Sequence, residues 1–164
     1  MPFADATLKL AENIIDSCAA RELSLTAAES CTGGLITACL TEIPGSSAVV
    51  DRGFVTYSNR AKQELLGVAA DTLIGHGAVS AEVAEAMATG AKKQANVDLA
   101  IAVTGIAGPG GATADKPVGL VYLALAHKEQ IQIAREIFPG NRHAVRQATL
   151  IRALVMIEEI LRRH

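Results

Sequence analysis

Three times along this chain a strand-like run stops at a polar turn, and that alternation constrains the fold more than any other feature. Leu23 to Ala28 stops at Glu29-Ser30-Cys31-Thr32-Gly33-Gly34. Val49 to Tyr57 leads into Ser58-Asn59, and Asp98 to Thr104 ends in Gly105-Ile106-Ala107-Gly108-Pro109-Gly110-Gly111. Runs as short and apolar as Leu23 to Ala28 and Asp98 to Thr104 suit strands covered on both faces, as in a parallel sheet, and Val49 to Tyr57 predicts a further strand between them. Helical patterns fill the intervals. Leu8, Ala11, Ile14, Ile15, Cys18 and Ala19 recur at helical spacing and predict a first helix. A second runs from Gly34 through Leu40 and ends before Pro44-Gly45. Ser58 or Asn59 suits the cap of a third, which begins near Arg60 and stops around Gly67. Ser80 caps the next, with Val83, Ala84, Met87, Ala88 and Ala91 as its buried stripe.

No helix continues through the glycines of the 105–111 segment. Val118 to Ala126 and Gln130 to Phe138 predict two more strands, and the short Lys128-Glu129 connection makes them an antiparallel hairpin. Pro139-Gly140-Asn141 opens a final helix. Its Ala144, Ala148, Ile151 and Val155, with Leu154 and Leu161, are expected to face the core. The sum is a single three-layer α/β domain over residues 1–164 with a mostly parallel sheet, whose strand order the patterns do not give.

Charge and composition narrow the function. Fifteen Lys plus Arg against seventeen Asp plus Glu leave a formal charge of −2. A nucleic-acid binder needs a basic face to displace counterions, and two Tyr, three Phe and no Trp make a poor stacking platform. No apolar run reaches the ~18 residues of a membrane span, and the N-terminus lacks the pattern of a secretory signal. Cys18, Cys31 and Cys39 are odd in number and have no CxxC spacing, which disfavours a disulfide framework or a structural zinc. The expectation is a soluble, reduced, cytoplasmic protein that binds neither nucleic acid nor membrane. His76 and His143 have no second ligand at metal-binding spacing, so no metal site is expected.

Ligands of open α/β sheets bind beyond the carboxyl ends of strands, where the polar turns fall. Ser30 is well placed there to be a nucleophile, although Ser30 or Thr32 would equally serve as a helix cap. The amides of Thr32, Gly33 and Gly34 are candidate donors to an oxyanion. Lys62, close behind Tyr57-Ser58-Asn59, would be a general base if burial and the helix dipole lower its pKa, and otherwise is an ordinary surface lysine. Thr104, Gly105 and Gly108 belong to a glycine-rich loop that lets backbone approach a ligand closely but matches no specific phosphate motif. Arg142 and Arg146 share one face at the opening of the last helix and suit a phosphate, or form a solvated pair. Cys31 reads as a structural neighbour of Ser30, while Cys18 and Cys39 read as small core residues.

Several strings, in order, carry a resemblance. Ala28-Glu29-Ser30-Cys31-Thr32-Gly33-Gly34, Gly53-Phe54-Val55-Thr56-Tyr57-Ser58-Asn59 and Gly77-Ala78-Val79-Ser80 resemble the CinA C-terminal-domain family. So do Thr104-Gly105-Ile106-Ala107-Gly108-Pro109 and Lys116-Pro117-Val118-Gly119. The likeness runs from about residue 5 to the C-terminus. It implies a three-layer α/β/α sandwich with a mixed five-stranded sheet and a homo-oligomer, a dimer by preference. It also implies a nicotinamide-nucleotide amidohydrolase of pyridine nucleotide salvage, converting nicotinamide mononucleotide and water to nicotinate mononucleotide and ammonia without a cofactor. In that reading Ser30 is the nucleophile, Lys62 its base and Tyr57 a wall of the site. Thr32, Gly33, Gly34, Thr104, Gly105, Gly108, Arg142 and Arg146 surround the substrate. Many relatives carry an additional N-terminal domain resembling molybdopterin-binding proteins, and this chain looks like the stand-alone form. One departure stands out. Where the family reads G-P-x-G-G-T, this chain has Ala112 in place of the second glycine of the pair, which matters if the position needs a positive φ. Other readings are a non-catalytic nucleotide-sensing module of competence- or damage-inducible type, a thiol enzyme working through Cys31, and an assembly module with a vestigial pocket.

Overall fold

The computed structural model describes residues 3–163. Five strands, β1 (Leu25–Glu29), β2 (Val50–Val55), β3 (Leu99–Gly105), β4 (Leu120–His127) and β5 (Gln130–Ile137), form one sheet of order β2-β1-β3-β4-β5. β1 is parallel to β2 and β3, whereas β3–β4 and β4–β5 are antiparallel, so the sheet is mixed. β1 and β3 are buried almost throughout, as their apolar runs require. The β4–β5 hairpin turns at Lys128-Glu129, where Lys128 takes a positive φ and His127 pairs with Gln130.

The helices are α1 (Asp5–Ala20), α2 (Leu35–Thr41), α3 (Asn59–Leu66), α4 (Ala70–His76), α5 (Ala81–Ala95) and α6 (Arg142–Arg163). α1, α2 and α6 pack together on one face of the sheet, and α5, backed by α3 and α4, covers the other. The two faces are built differently. Toward α1, α2 and α6 the sheet presents Leu25, Leu99, Ile101, Val103, Val121, Leu123 and Leu125. Toward α5 it presents Ala28, Ala100, Ala102, Ala124 and Ala126, met by Ala84, Ala88 and Ala91 of the helix. Small side chains on both partners let α5 lie close to the sheet.

Two expectations differ from the structure. The buried stripe of α6 comprises Val145, Thr149, Leu150, Ala153, Leu154, Met156, Ile157, Ile160 and Leu161. Ile151 lies outside it and is exposed, while Ala144, Ala148 and Val155 are half-buried. The helix is apolar around much of its circumference, so periodicity alone does not choose which side faces inward. α4, in turn, has no counterpart among the helices that the sequence predicts. It buries only Leu73 and has no side-chain cap, so neither of the usual sequence marks of a helix is present. Ala112 imposes no strain, because the only non-glycine residues with positive φ are Glu22, Asn96 and Lys128 among the described residues.

Candidate active site

From β1 the chain continues outward on one side to β2 and on the other to β3, so the order reverses between β1 and β3. At such a switch point the loops leaving the two strands diverge and open a crevice at their carboxyl ends. The polar turns fall at that edge. Ser30 follows β1 directly, and its amide donates to the carbonyl of Val103 on β3 at 3.1 Å. Thr56 follows β2, and its amide donates to the carbonyl of Glu29 at 2.8 Å. The first turn of α3 is capped by Ser58, whose hydroxyl accepts from the Ala61 amide.

That cap aims Lys62 inward. Its side chain is only 1% exposed. Nζ lies 2.8 Å from the Thr56 carbonyl, to which it donates, and 3.0 Å from Ser30 Oγ. Among the described residues no carboxylate pairs with it. Burial is the main cause that lowers its pKa from the ordinary 10.5, opposed by a smaller effect of Cys31. A neutral amine in this position can accept the Ser30 proton, whereas an ammonium can only donate to Oγ.

Ser30 and Lys62 open into a cavity of about 190 Å³, walled by Cys31, Tyr57, Thr104, Gly105 and Arg142 among others. Larger hollows lie elsewhere, among them one beside α3–α5 and one at the far end of the sheet, but Ser30 and Lys62 line none of them. Tyr57 is 61% exposed, and its hydroxyl accepts from Arg142 Nη2 at 2.9 Å. Arg142 also donates to the Gly108 carbonyl, so it bridges the loops after β2 and β3 across the mouth. Thr104 Oγ1 donates to the carbonyl of Ala78 and holds the segment before α5 against the cavity. The close fit of Gly105 has a cause, since a Cβ there would meet Val121 and the Leu120 carbonyl.

Arg146 stands apart from the cavity. Its Nη2 donates to the Thr32 carbonyl at 2.8 Å and steadies the turn after Ser30. Neither arginine forms an ion pair among the described residues. Three buried polar atoms, Thr32 Oγ1, Thr56 Oγ1 and Arg146 Nε, have no protein partner there. The amides of Gly33 and Gly34 are engaged within the fold, the first by the Ser30 carbonyl and the second by the Glu29 carboxylate. Among the described residues the Thr32 amide makes no such bond, and the Cys31 amide makes none to another backbone group but donates to its own sulfur.

Neither Ser30 nor Thr32 caps α2. The cap comes from Glu29, fully buried, whose carboxylate accepts from the amides of Gly34, Ile36 and Thr37 and from Thr37 Oγ1. Sequence reasoning placed Glu29 in the turn without giving it a role. The available signal was a lone acid closing an apolar strand just before a helix start, where a carboxylate meets free amides. Cys31 is buried, and desolvation pushes its thiol up to about 11, which disfavours the thiolate a thiol enzyme requires. Cys18 and Cys39 are buried in the core. Among the described residues no group of three or more His, Cys, Asp or Glu is arranged to hold a metal ion, and no helix is long and apolar enough to cross a membrane.

Comparison with known proteins places nearly the whole chain in one family. A competence/damage inducible protein, CihA, from Agrobacterium tumefaciens has a solved structure that is 48% identical and superposes with a TM-score of 0.94, covering 96% of each chain. A CinA superfamily protein of Klebsiella pneumoniae is 37% identical, with a TM-score of 0.93 over 96% of this chain and 99% of its own. A CinA-like protein of Geobacter sulfurreducens is 50% identical over 92% of this chain, which spans 38% of that relative's length. The family model described as the CinA C-terminal domain matches residues 7–161. The chain therefore belongs to the CinA C-terminal domain family.

Proposed function

We propose that this domain hydrolyses a carboxamide, that of nicotinamide mononucleotide, with Ser30 as nucleophile and Lys62 as general base. The observation that carries the reading is the buried contact of 3.0 Å between Lys62 Nζ and Ser30 Oγ, in a cavity where no carboxylate holds the lysine charged. Burial without a counter-charge is how a lysine becomes a base near neutral pH. The substrate class comes from the family likeness. The Arg142 guanidinium at the cavity mouth, with no acidic partner, suits the phosphate.

In this reading the steps are as follows. Lys62 Nζ takes the Ser30 proton as Oγ attacks the carboxamide carbon, and the carbonyl oxygen becomes an oxyanion. The amide of Thr32, joined by that of Cys31 if it leaves its own thiol, donates to it in this reading, since those of Gly33 and Gly34 are occupied. The C–N bond breaks as Lys62 returns the proton to the departing ammonia. Water then attacks the ester on Ser30, giving a proton to Lys62, which passes it to Oγ as the acyl–Oγ bond breaks and the acid product leaves.

Ammonia release from nicotinamide mononucleotide tests this. Wild-type protein is expected to turn over, while Ser30→Ala and Lys62→Ala each lose about three orders of magnitude or more in kcat. Wild-type turnover by the Ser30→Ala variant would end the reading. An inert wild type whose melting temperature still rises with the mononucleotide would replace it with a sensing module.

A further inference from the structure

We infer that Glu29 is a positioning residue for the nucleophile, acting through the turn it holds and through Thr56. The inference rests on the reading of Ser30 as a nucleophile. Glu29 is wholly buried, yet among the described residues it forms no ion pair; its side-chain partners are donors from α2 and the turn leading to it. Oε2 accepts from the amides of Gly34 and Ile36, each at 3.0 Å. Oε1 accepts from the amide and hydroxyl of Thr37 at 2.8 and 2.9 Å. These bonds fix the start of α2 relative to the end of β1, and the turn of Ser30 to Gly33 spans the gap between them. The Glu29 carbonyl meanwhile accepts the Thr56 amide, and the Thr56 carbonyl accepts Lys62 Nζ. One residue thus orients the nucleophile by its side chain and the base by its main chain.

The surroundings are shaped to this arrangement. Gly53 on β2 leaves room for Thr37, since a Cβ there would collide with the Thr37 side chain. Because Glu29 occupies the amides at the α2 N-terminus, that end of the helix is closed to a substrate anion. The helix contributes placement, and recognition of an anion falls to Arg142 at the mouth.

Glutamine discriminates a positioning role from a space-filling one. It keeps the volume but puts an NH2 against at least one backbone N–H whichever way it is turned, since of the four donors only the Thr37 hydroxyl can rotate to accept. The readout is phosphonylation of Ser30 by a fluorophosphonate, in which Oγ bonds to phosphorus, fluoride leaves and the hydroxyl proton goes to Lys62. It needs the nucleophile and base in place but no amide substrate. Wild type is expected to be labelled at Ser30. Glu29→Gln, folded by circular dichroism, is expected to react about 100-fold more slowly, with ammonia release falling in kcat and KM nearly unchanged. Thr37→Val, which removes one donor and leaves the carboxylate, is expected to slow labelling about 10-fold. A folded Glu29→Gln protein labelled at the wild-type rate overturns the inference and leaves the nucleophile reading standing. If that variant does not fold, Thr37→Val decides, and an unchanged rate there overturns it. A wild type that is not labelled at Ser30 overturns both.

Discussion

Burial strips the Lys62 ammonium of water and offers it one carbonyl and one hydroxyl instead. The pH dependence of stability follows with a definite sign. Below its lowered folded-state value Lys62 is charged whether the chain is folded or not, and the desolvation penalty is complete. Between that value and the ordinary 10.5 the unfolded chain binds the extra proton, so stability rises with pH. Above 10.5 both states are neutral and the penalty is gone. Lys62→Met is therefore expected to melt a few degrees above wild type near neutral pH, with the gap closing as pH approaches 10.5. A gap that stays constant between those limits would show that Lys62 does not titrate abnormally. At this scale the sequence names the actors but not their meeting. A hydroxyl at a strand–turn–helix junction is visible in the string around Ser30, whereas nothing local marks Lys62 as buried, because lysines seldom are. Its burial depends on the Ser58 cap and on the loop after β2 lying alongside β1, which are facts of topology.

Among the elements, strands were the most legible and helix faces the least. β1 and β3 declare themselves by unbroken apolar runs, and their observed limits lie within two residues of the expected ones. α6 shows how an abundance of apolar residues erases the periodic signal that would choose its inward side. The contact between α3 and α5 is a further feature that sequence conceals. Gly90 lies in the middle of α5, where alanine is the better helix former by about 1 kcal/mol. A Cβ at Gly90 would nevertheless collide with the Leu66 carbonyl at the end of α3. Gly90→Ala is thus expected to destabilise the fold by about 1–3 kcal/mol, against its propensity, as read by urea denaturation. Turnover should drop as well, since α3 carries Lys62. A stabilised variant would show that the two helices have room to spare.

Across the whole molecule, the sheet separates chemistry from support. The candidate site gathers at the carboxyl ends of β1, β2 and β3. At the opposite end Asp98 Oδ2 accepts from the Ser24 amide and hydroxyl, each at 2.8 Å, and clips β1 to β3. The Ser24 amide is the main cause that holds the Asp98 carboxyl below its usual range. That contribution is present above the ~3.9 of an unperturbed aspartate and is lost as pH falls through the lower folded value. Asp98→Ala is expected to lower the melting temperature by about 2–4 °C at neutral pH with kcat unchanged, the difference vanishing in acid. A loss of kcat would mean that the two ends are not independent. The layered architecture was readable from the alternation of patterns, but strand order was not. The residues that decide it, such as the paired alanines of β3, β4 and α5, differ from other small apolar residues only in whom they meet.

The two faces of the sheet also set how freely this sequence can drift. On the leucine- and isoleucine-rich side neighbours can trade a methylene between them, and many combinations fill the same space. On the alanine side few partners apart from Met87 and Val83 have volume to surrender, so compensation is harder and an enlargement at the paired alanines must be absorbed by moving α5. α5 is the helix against which α3 rests, and α3 holds the lysine. Change on that face would be felt as lost turnover before it was felt as lost folding. A lineage of such domains would then record selection for function in residues that never touch a substrate.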